Sequence, residues 1–235
     1  MNIIKQKNIS LNGIEKIAIL ADCGCVKDWE DRFPRLLEDV WRTHSPQIFI
    51  VLGDIVLRGR YKYFKKIISY MNSIPAKWIA LPGNHDRPFI FFRRYFGSLY
   101  KIIDVDGWRF IGLNTADKKF TKRRARWLDK NIMENTIILS HIPPDLEGWS
   151  FYSLPYKHSE RFLKVIAKNR KKIKAAFFGH IHGLSEKKYM DIPMIVTGGA
   201  AHSKVIKNNR YNEDTFPEMA IFYVKTGGIN IHEMK

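Results

Sequence analysis

Acidic, amide and imidazole side chains follow short apolar runs between positions 22 and 182 of this 235-residue chain. In order they are Asp22, a Gly-Asp pair ending at Asp54, a Gly-Asn-His-Asp run at 83–86, His141, and a Gly-His-Ile-His run at 179–182. Carboxylate, amide and imidazole groups are ligands for divalent metals. The series therefore predicts a metal centre.

Each motif taken alone has an ordinary structural explanation. An aspartate behind a strand often caps the next helix, and Gly-Asn-His-Asp consists of residues that favour turns. A single histidine is more often a core or surface residue than a ligand. These explanations do not account for all five motifs in this order, each behind a strand-like run, and we therefore favour the metal centre.

The apolar runs that must position the motifs are rich in Ile, Val and Phe and hardly alternate with polar residues, which indicates buried strands. They are Ile17–Ala21, Ile48–Leu52, Lys77–Leu81, Trp108–Asn114, Ile137–Ser140, Ala175–Gly179, Met194–Thr197, Met219–Val224 and Ile229–His232. Helical spacing occurs at about Glu30–Trp41, Tyr61–Asn72, Pro88–Tyr95, Thr121–Met133 and His158–Asn169. This alternation predicts an α/β fold with parallel strands and an antiparallel finish. The motifs then lie at the carboxyl ends of strands, where such sheets bind ligands.

The motif order resembles that of the calcineurin-like metallophosphoesterases, which is Asp-x-His, Gly-Asp, Gly-Asn-His-Asp/Glu, a later His, and Gly-His-x-His. The resemblance spans about Ile17 to Gly199 and includes Leu113-Asn114-Thr115 and Arg126-Trp127-Leu128. It implies a four-layer βαββ-type sandwich of two mixed sheets flanked by helices. From its length we expect one domain over residues 1–235.

The resemblance also implies two divalent metal ions, manganese, iron or zinc, and a phosphomonoester or phosphodiester substrate. A hydroxide bridging the two ions would attack phosphorus. Asp54 would bridge the ions, Asp22 and His182 would hold one of them, and the other would be held by Asn84, His141 and His180. His85 would protonate the leaving oxygen or stabilise charge on the phosphoryl group, with Asp86 orienting its ring.

The first motif departs from the family pattern, because Gly24 occupies the place of the histidine in Asp22-Cys23-Gly24. A related branch with glycine there supplies a tyrosine where this chain has Leu57. Water could complete this metal's shell, or the thiolate of Cys25 could do so, although a small buried cysteine is the commoner role. Because one protein ligand is missing, we expect the first metal to be weakly bound or exchangeable.

Two further residues are candidates for contact with substrate. Arg58, four residues beyond Asp54, could reach a phosphate with its guanidinium group, or it could be an exposed arginine before a helix. His202 lies in a loop that passes near the site in this family, or it is a surface histidine.

The chain carries a formal net charge of +17. The excess is concentrated in residues 58–130, with 18 Lys and Arg against 5 Asp and Glu, and in 157–188, with 10 against 2. The densest cluster runs from Lys118 to Arg126 and surrounds Phe120. This patch could bind nucleic acid through phosphate contacts and stacking on Phe120, or it could be a solvated helix face.

Two classes of function remain open at this point. The first is a metal-dependent phosphoric ester hydrolase acting on a nucleotide, a nucleic acid or another phosphate ester. The second is a non-catalytic scaffold of the same fold, and the presence of His85 favours the enzyme. Only two cysteines occur, and neither a signal sequence nor an apolar run of membrane-spanning length is evident. We therefore expect a cytoplasmic location and no membrane span, whereas the sequence does not indicate an oligomeric state.

Overall fold

The computed structural model describes residues 2–24, 28–201, 203–207, 210–215 and 218–233, with the backbone alone for 203–207 and 210–215. The strands are β1 (Asn8–Leu11), β2 (Lys16–Leu20), β3 (Ile48–Leu52), β4 (Lys77–Leu81), β5 (Lys101–Val105), β6 (Trp108–Leu113), β7 (Thr136–Ser140), β8 (Ile173–Phe178), β9 (Leu184–Tyr189), β10 (Ile192–Thr197), β11 (Ser203–Lys207), β12 (Arg210–Thr215), β13 (Glu218–Tyr223) and β14 (Gly228–Glu233). The helices are α1 (Trp29–His44), α2 (Tyr61–Ser73), α3 (Ile90–Phe96), α4 (Lys122–Asn131) and α5 (Tyr156–Lys168).

The strands form two mixed sheets and a small ribbon. One sheet has seven strands in the order β1-β5-β6-β7-β8-β10-β9, and the other has five in the order β14-β13-β2-β3-β4. Strands β2, β3 and β4 run parallel, as do β6, β7, β8 and β10. Strands β11 and β12 form the ribbon.

Successive side chains of β3 show how the layers are held together. All five residues are buried. Ile50 belongs to a core that also contains residues of the seven-stranded sheet, such as Phe110 and Phe177. Phe49 and Val51 point the other way, into a core shared with α1, α2 and α3. A third core joins the seven-stranded sheet to α4 and α5. The predicted four-layer sandwich of two mixed sheets flanked by helices is therefore confirmed.

The nine predicted strands and five predicted helices are all present, with ends that shift by a few residues. The strands that the sequence did not predict include β1, β5 and β9, which lie at or next to an edge of the seven-stranded sheet. The longest helix, α1, has 16 residues. Within the described ranges, no helix has both the length and the apolar character needed to span a membrane.

The segment before β1 connects the free edges of the two sheets. Ile3 forms a parallel bridge with Trp78 at the edge of β4, and β1 then pairs with β5 of the other sheet. The fully buried ammonium group of Lys101 donates to the carbonyl oxygens of Lys5 (3.0 Å), Gln6 (2.8 Å) and Phe96 (3.0 Å). This buried lysine therefore fixes the crossing segment to the end of α3.

Candidate metal centre

The motif residues lie at the carboxyl ends of parallel strands from both sheets. Asp22, Asp54 and the 83–86 loop follow β2, β3 and β4 of the five-stranded sheet, whereas His141 follows β7 and the 179–182 loop follows β8 of the seven-stranded sheet. The four residues with left-handed backbone conformations among them are Asp22 (φ 59°), Asp54 (φ 50°), His180 (φ 70°) and His182 (φ 57°). Such conformations cost energy and are typical of functional sites.

Two groups of side chains have ligand atoms close enough to hold a cation. Asp54, His141 and His180 form the first group, and Asp22, Asp54 and His182 form the second. Within each group the nitrogen and oxygen atoms lie within 4.8 Å of one another. Asp54 is the member that the two groups share, and we call them the His141 cluster and the Asp22 cluster.

Asp54 is almost fully buried, with 1% of its surface exposed. Its Oδ1 accepts the backbone N–H of His85 (2.8 Å), and its Oδ2 lies 3.3 Å from Nε2 of His141. Burial alone would raise the pKa of Asp54, but the adjacent His141 outweighs it and lowers the pKa to about 2. Asp54 is therefore an anion between the clusters.

His141 is oriented by a backbone contact on the side of its ring that faces away from Asp54. Its Nδ1 lies 2.8 Å from the carbonyl oxygen of Leu52, and its Nε2 lies 3.1 Å from Oδ1 of Asn84. A carbonyl oxygen only accepts hydrogen bonds, so Nδ1 carries the proton and Nε2 faces the cluster. This is the tautomer that a metal-binding histidine with a backbone partner adopts.

The electrostatic field at this position favours positive charge. Burial opposes protonation of His141, yet the carboxylates of Asp54 and Asp22 raise its pKa to about 9. The neighbouring His180 behaves in the opposite way, because burial and the charge of His141 lower its pKa to about 3. The acids therefore stabilise a cation among them, and the donor set of carboxylate, imidazole and amide groups fits divalent metals such as manganese, iron or zinc.

Asp22 is fully buried and holds the two-histidine loop in place. Its Oδ2 accepts the backbone N–H of His180 (3.0 Å), and its Oδ1 lies 3.4 Å from Nε2 of His182. Burial raises the pKa of Asp22 to about 7. The side chain of His182 is 18% exposed, so the Asp22 cluster reaches the surface at this residue.

His85 and Asp86 do not interact in the way that the resemblance implied. Nδ1 of His85 lies 3.0 Å from the carbonyl oxygen of Leu57. The carboxylate of Asp86 instead accepts the backbone N–H groups of Val56 (3.1 Å) and Gly83 (2.8 Å). The prediction that Asp86 orients the His85 ring is therefore wrong in this structure. Asp86 is buried and connects the loops behind β3 and β4, which leaves Leu57 to orient the ring.

Gly24 occupies its position because no side chain would fit there. A Cβ atom added to Gly24 would lie 2.2 Å from the carbonyl oxygen of Ile55, far inside contact distance. The backbone N–H of Gly24 also lies 3.3 Å from the carbonyl oxygen of Asp54, its hydrogen-bond acceptor. The loops behind β2 and β3 are thus packed backbone to backbone where the family pattern has a histidine, and this explains the departure.

The remaining predicted residues lie outside these contacts. Arg58 is exposed and directly follows Leu57, the residue whose carbonyl oxygen contacts His85. Cys25 and His202 fall outside the described residues. Phe120, predicted as a stacking ring of the basic patch, is instead fully buried against Phe162 at 5.2 Å between ring centroids. That prediction is wrong because the ring of Phe120 is part of the core beneath α4 and α5.

The comparisons with known proteins agree with this geometry. A probable cyclic nucleotide phosphodiesterase of Synechococcus is 26% identical over 153 residues, which cover 60% of this chain and 60% of that protein. A probable cyclic nucleotide phosphodiesterase of Vesicomyosocius okutanii is 24% identical over 159 residues, covering 63% of this chain and 67% of that one. The matched part of this chain therefore spans about three fifths to two thirds of these relatives' lengths.

The fold is also similar to solved structures. A dimetal phosphatase from Danio rerio superposes with a TM-score of 0.64 at 13% sequence identity, over 94% of this chain and 99% of that one. The family model described as calcineurin-like phosphoesterase matches residues 15–184, a range that includes all the members of both clusters. The chain therefore belongs to the calcineurin-like phosphoesterase family.

Proposed function

We propose that this chain is a metal-dependent phosphoric ester hydrolase that uses two divalent cations. The observation that carries the proposal is the position of Asp54, whose carboxylate belongs to both ligand clusters. A carboxylate between two cations reduces their mutual repulsion and permits a dinuclear site. Family membership and the names of the curated relatives support the same reaction class.

In this proposal, Asp22, Asp54 and His182 hold one cation, and Asp54, His141 and His180 hold the other together with Asn84. The amide oxygen of Asn84 lies 3.1 Å from Nε2 of His141, which puts it beside that cluster. When bound, divalent cations polarise phosphoryl oxygens and lower the pKa of water. Manganese, iron and zinc all match these ligands.

His85 serves in this proposal as the group that delivers a proton to the leaving oxygen. Its side chain is 43% exposed, and its Nε2 lies 3.9 Å from Oδ2 of Asp54, at the mouth of the centre. Because the carbonyl of Leu57 accepts from Nδ1, the nitrogen that exchanges a proton with substrate is Nε2. In this proposal Arg58, which is exposed and next to Leu57, contacts a phosphate oxygen.

We further propose a phosphodiester of nucleotide type as the substrate and the cytoplasm as the location. The names of the curated relatives and the net charge of +17 support such a substrate. The alternative, a scaffold without catalysis, is disfavoured because both ligand clusters and His85 are in place.

The test is hydrolysis of p-nitrophenyl phosphate, its bis ester and a panel of cyclic and linear nucleotides, with manganese, zinc or iron added in turn. We expect metal-dependent activity that His85→Asn reduces by about 10²- to 10⁴-fold while bound metal is unchanged. His44→Asn is the matched control, because His44 ends α1 shortly before β3, at the end of the parallel strands opposite the metal centre.

Two outcomes would contradict this proposal. Inactivity toward every ester with both metals bound would favour the scaffold function. Loss of metal from the His85→Asn protein would make His85 a ligand instead of a proton donor.

A further inference from the structure

A cavity lies away from the two ligand clusters, beside the start of α4. Its volume is about 300 Å³, and it is lined by Lys7, Tyr100, Arg123, Arg124 and Trp127. Three of the five lining residues are basic and the other two are aromatic. Because Tyr100 and Trp127 are half-buried and Lys7 and Arg123 are exposed, the cavity opens at the surface. We call it the Trp127 pocket.

The aromatic wall of this pocket is held rigidly by its surroundings. The rings of Tyr100 and Trp127 meet edge to face, with centroids 5.3 Å apart and planes inclined by 64°. Both rings also pack against the core beneath α4. Arg124 donates to both carboxylate oxygens of Asp117 at 2.6 and 2.8 Å, so its charge is already matched. The pocket thus has fixed rings with little conformational entropy to lose on binding.

Two other cations at the mouth are available to an anion. The ammonium group of Lys7 lies 5.3 Å from the centroid of the Trp127 ring, and Arg123 is exposed on the first turn of α4. A flat aromatic surface beside exposed positive charges suits a nucleobase with its attached phosphate. A phosphate alone would not require the rings, and a purely apolar ligand would not require the cations.

The pocket lies at the same end of the strands of the seven-stranded sheet as the metal centre. Lys101 pairs with Gly112 and Leu113 with Ser140, so Tyr100, just before β5, is level with Ser140 of β7, the residue before His141. These two strands flank β6, which makes their separation roughly 10 Å. A stacked strand of nucleic acid advances about 3.4 Å per nucleotide, so about three nucleotides would span this distance.

A positively charged residue lies on the path between them. Lys118 is exposed at the turn that leads from β6 to α4. This turn follows β6, the strand that lies between β5 at the pocket and β7 at the metal centre. Lys119 and Lys122 are also exposed along this turn and the start of α4. Positive charge therefore continues from the centre to the pocket.

We infer that the Trp127 pocket binds one nucleotide of a single-stranded nucleic acid whose backbone follows Lys118, Lys119 and Lys122 toward the metal centre. The base would replace the ammonium group of Lys7 over the ring of Trp127, and the phosphates would contact Lys7 and Arg123. This inference rests on the proposed function and names its substrate class. The experiment measures binding and not hydrolysis, so failure of the inference can be distinguished from failure of the proposed function.

The experiment measures fluorescence anisotropy of a labelled oligothymidylate of about ten nucleotides across a salt series, with probe integrity checked on a gel. Trp127→Leu should weaken binding by about tenfold, whereas Trp127→Phe, which keeps a stacking ring, should stay within about twofold of the wild type. Arg123→Glu should weaken binding and reduce the slope of log Kd against log salt by about one.

Lys171→Glu is the matched charge control, because exposed Lys171 precedes β8, at the end of the strands opposite the metal centre. Equal weakening by Arg123→Glu and Lys171→Glu would mean diffuse attraction and would overturn the inference. So would thymidine monophosphate competing as well as the oligomer, which would make the pocket a separate mononucleotide site. Binding of phosphatidylserine vesicles, lost in Arg123→Glu while oligonucleotide binding is unchanged, would assign the patch to a membrane surface.

Discussion

The two sheets contribute different chemistry to the centre. The five-stranded sheet supplies the carboxylates, Asp22 and Asp54, whereas the seven-stranded sheet supplies the imidazoles, His141, His180 and His182. Each cluster contains residues from both sheets. Neither sheet alone supplies both the carboxylates and the imidazoles of a cluster. The site therefore exists only where the two sheets meet.

The first prediction separates the two contributions through Asp54. Asp54→Asn should abolish binding at both clusters and lower kcat/KM by about 10⁴-fold, because metal activation contributes several kcal/mol to catalysis. His180→Ala and His182→Ala should each remove one metal only. Elemental analysis and manganese titration report the stoichiometry. Retention of two metals by Asp54→Asn would contradict this division of ligands between the sheets, since the shared carboxylate would then be dispensable.

Metal removal tests whether the centre links the two sheets mechanically. Dialysis against a chelator should lower the free energy of unfolding by about 4 kcal/mol for each cation, or about 8 kcal/mol for two, relative to protein at a metal concentration 1,000 times Kd, because the cations bind only the folded state. Urea denaturation with and without added manganese measures the difference. Unchanged stability in wild type that has been shown to bind metal would contradict this link.

Lys101 tests a link between the sheets that contains no metal. Lys101→Met should lower the free energy of unfolding by about 3 kcal/mol, because the carbonyl groups of the crossing segment lose their buried donor. Lys5→Met is the control, since Lys5 is exposed and its ammonium group has a single backbone acceptor, the carbonyl of Arg94. Equal losses from the two substitutions would show that burial of the donor is unimportant.

The difference in stability between wild type and Lys101→Met should also depend on pH. Burial lowers the pKa of Lys101 to about 8 in the folded protein, against about 10.4 in the unfolded chain. Between these values the unfolded state binds more protons, so the stability of wild type relative to Lys101→Met should increase as the pH rises above 8. Urea denaturation at pH 7 and pH 9.5 measures this difference. A decrease over the same range would mean that the carbonyl groups around the ammonium group raise the pKa of Lys101 instead.

Gly24 tests how closely the loops behind β2 and β3 of the five-stranded sheet pack, and its substitution has the smallest expected effect. Gly24→Ala should lower stability by about 2 kcal/mol, because the added methyl group meets the carbonyl of Ile55. Gly107→Ala is the control, since a Cβ at Gly107 would meet nothing within 4 Å, although its positive φ adds some strain. Gly24→His should not strengthen metal binding. If it did, the loop would be able to open and the close packing would not explain the missing ligand.

The sequence predicted the strands that carry the site because those strands are buried on both faces and therefore uniformly apolar. Strand β9 was missed because its residues, LSEKKY, are polar and alternate between exposed and half-buried at the sheet edge. Strand β5 was missed because it begins with the buried Lys101, a residue whose partners are backbone atoms from distant segments. Local patterns do not reveal such partners.

The site was predictable in composition but not in its contacts. The residues of both clusters were predicted by motif order, and the structure brings them together. Their metal-binding roles stay predictions. The partner of His85 and the reason for Gly24 depend on how the loops behind β2, β3 and β4 pack, which no single motif encodes. The Trp127 pocket joins Lys7 to residues more than 90 positions away, so it has no local sequence pattern.

The crossing of residues 2–11 from one sheet to the other also affects how copies of this chain can associate. Open strand edges expose unpaired backbone groups that recruit strands from other molecules. Backbone atoms of Asn2 and Ile4 pair with Trp78 on β4, and the four-residue β1 covers the side of β5. One short segment thus blocks intermolecular pairing on two strands, and its detachment would make both of them sites for aggregation.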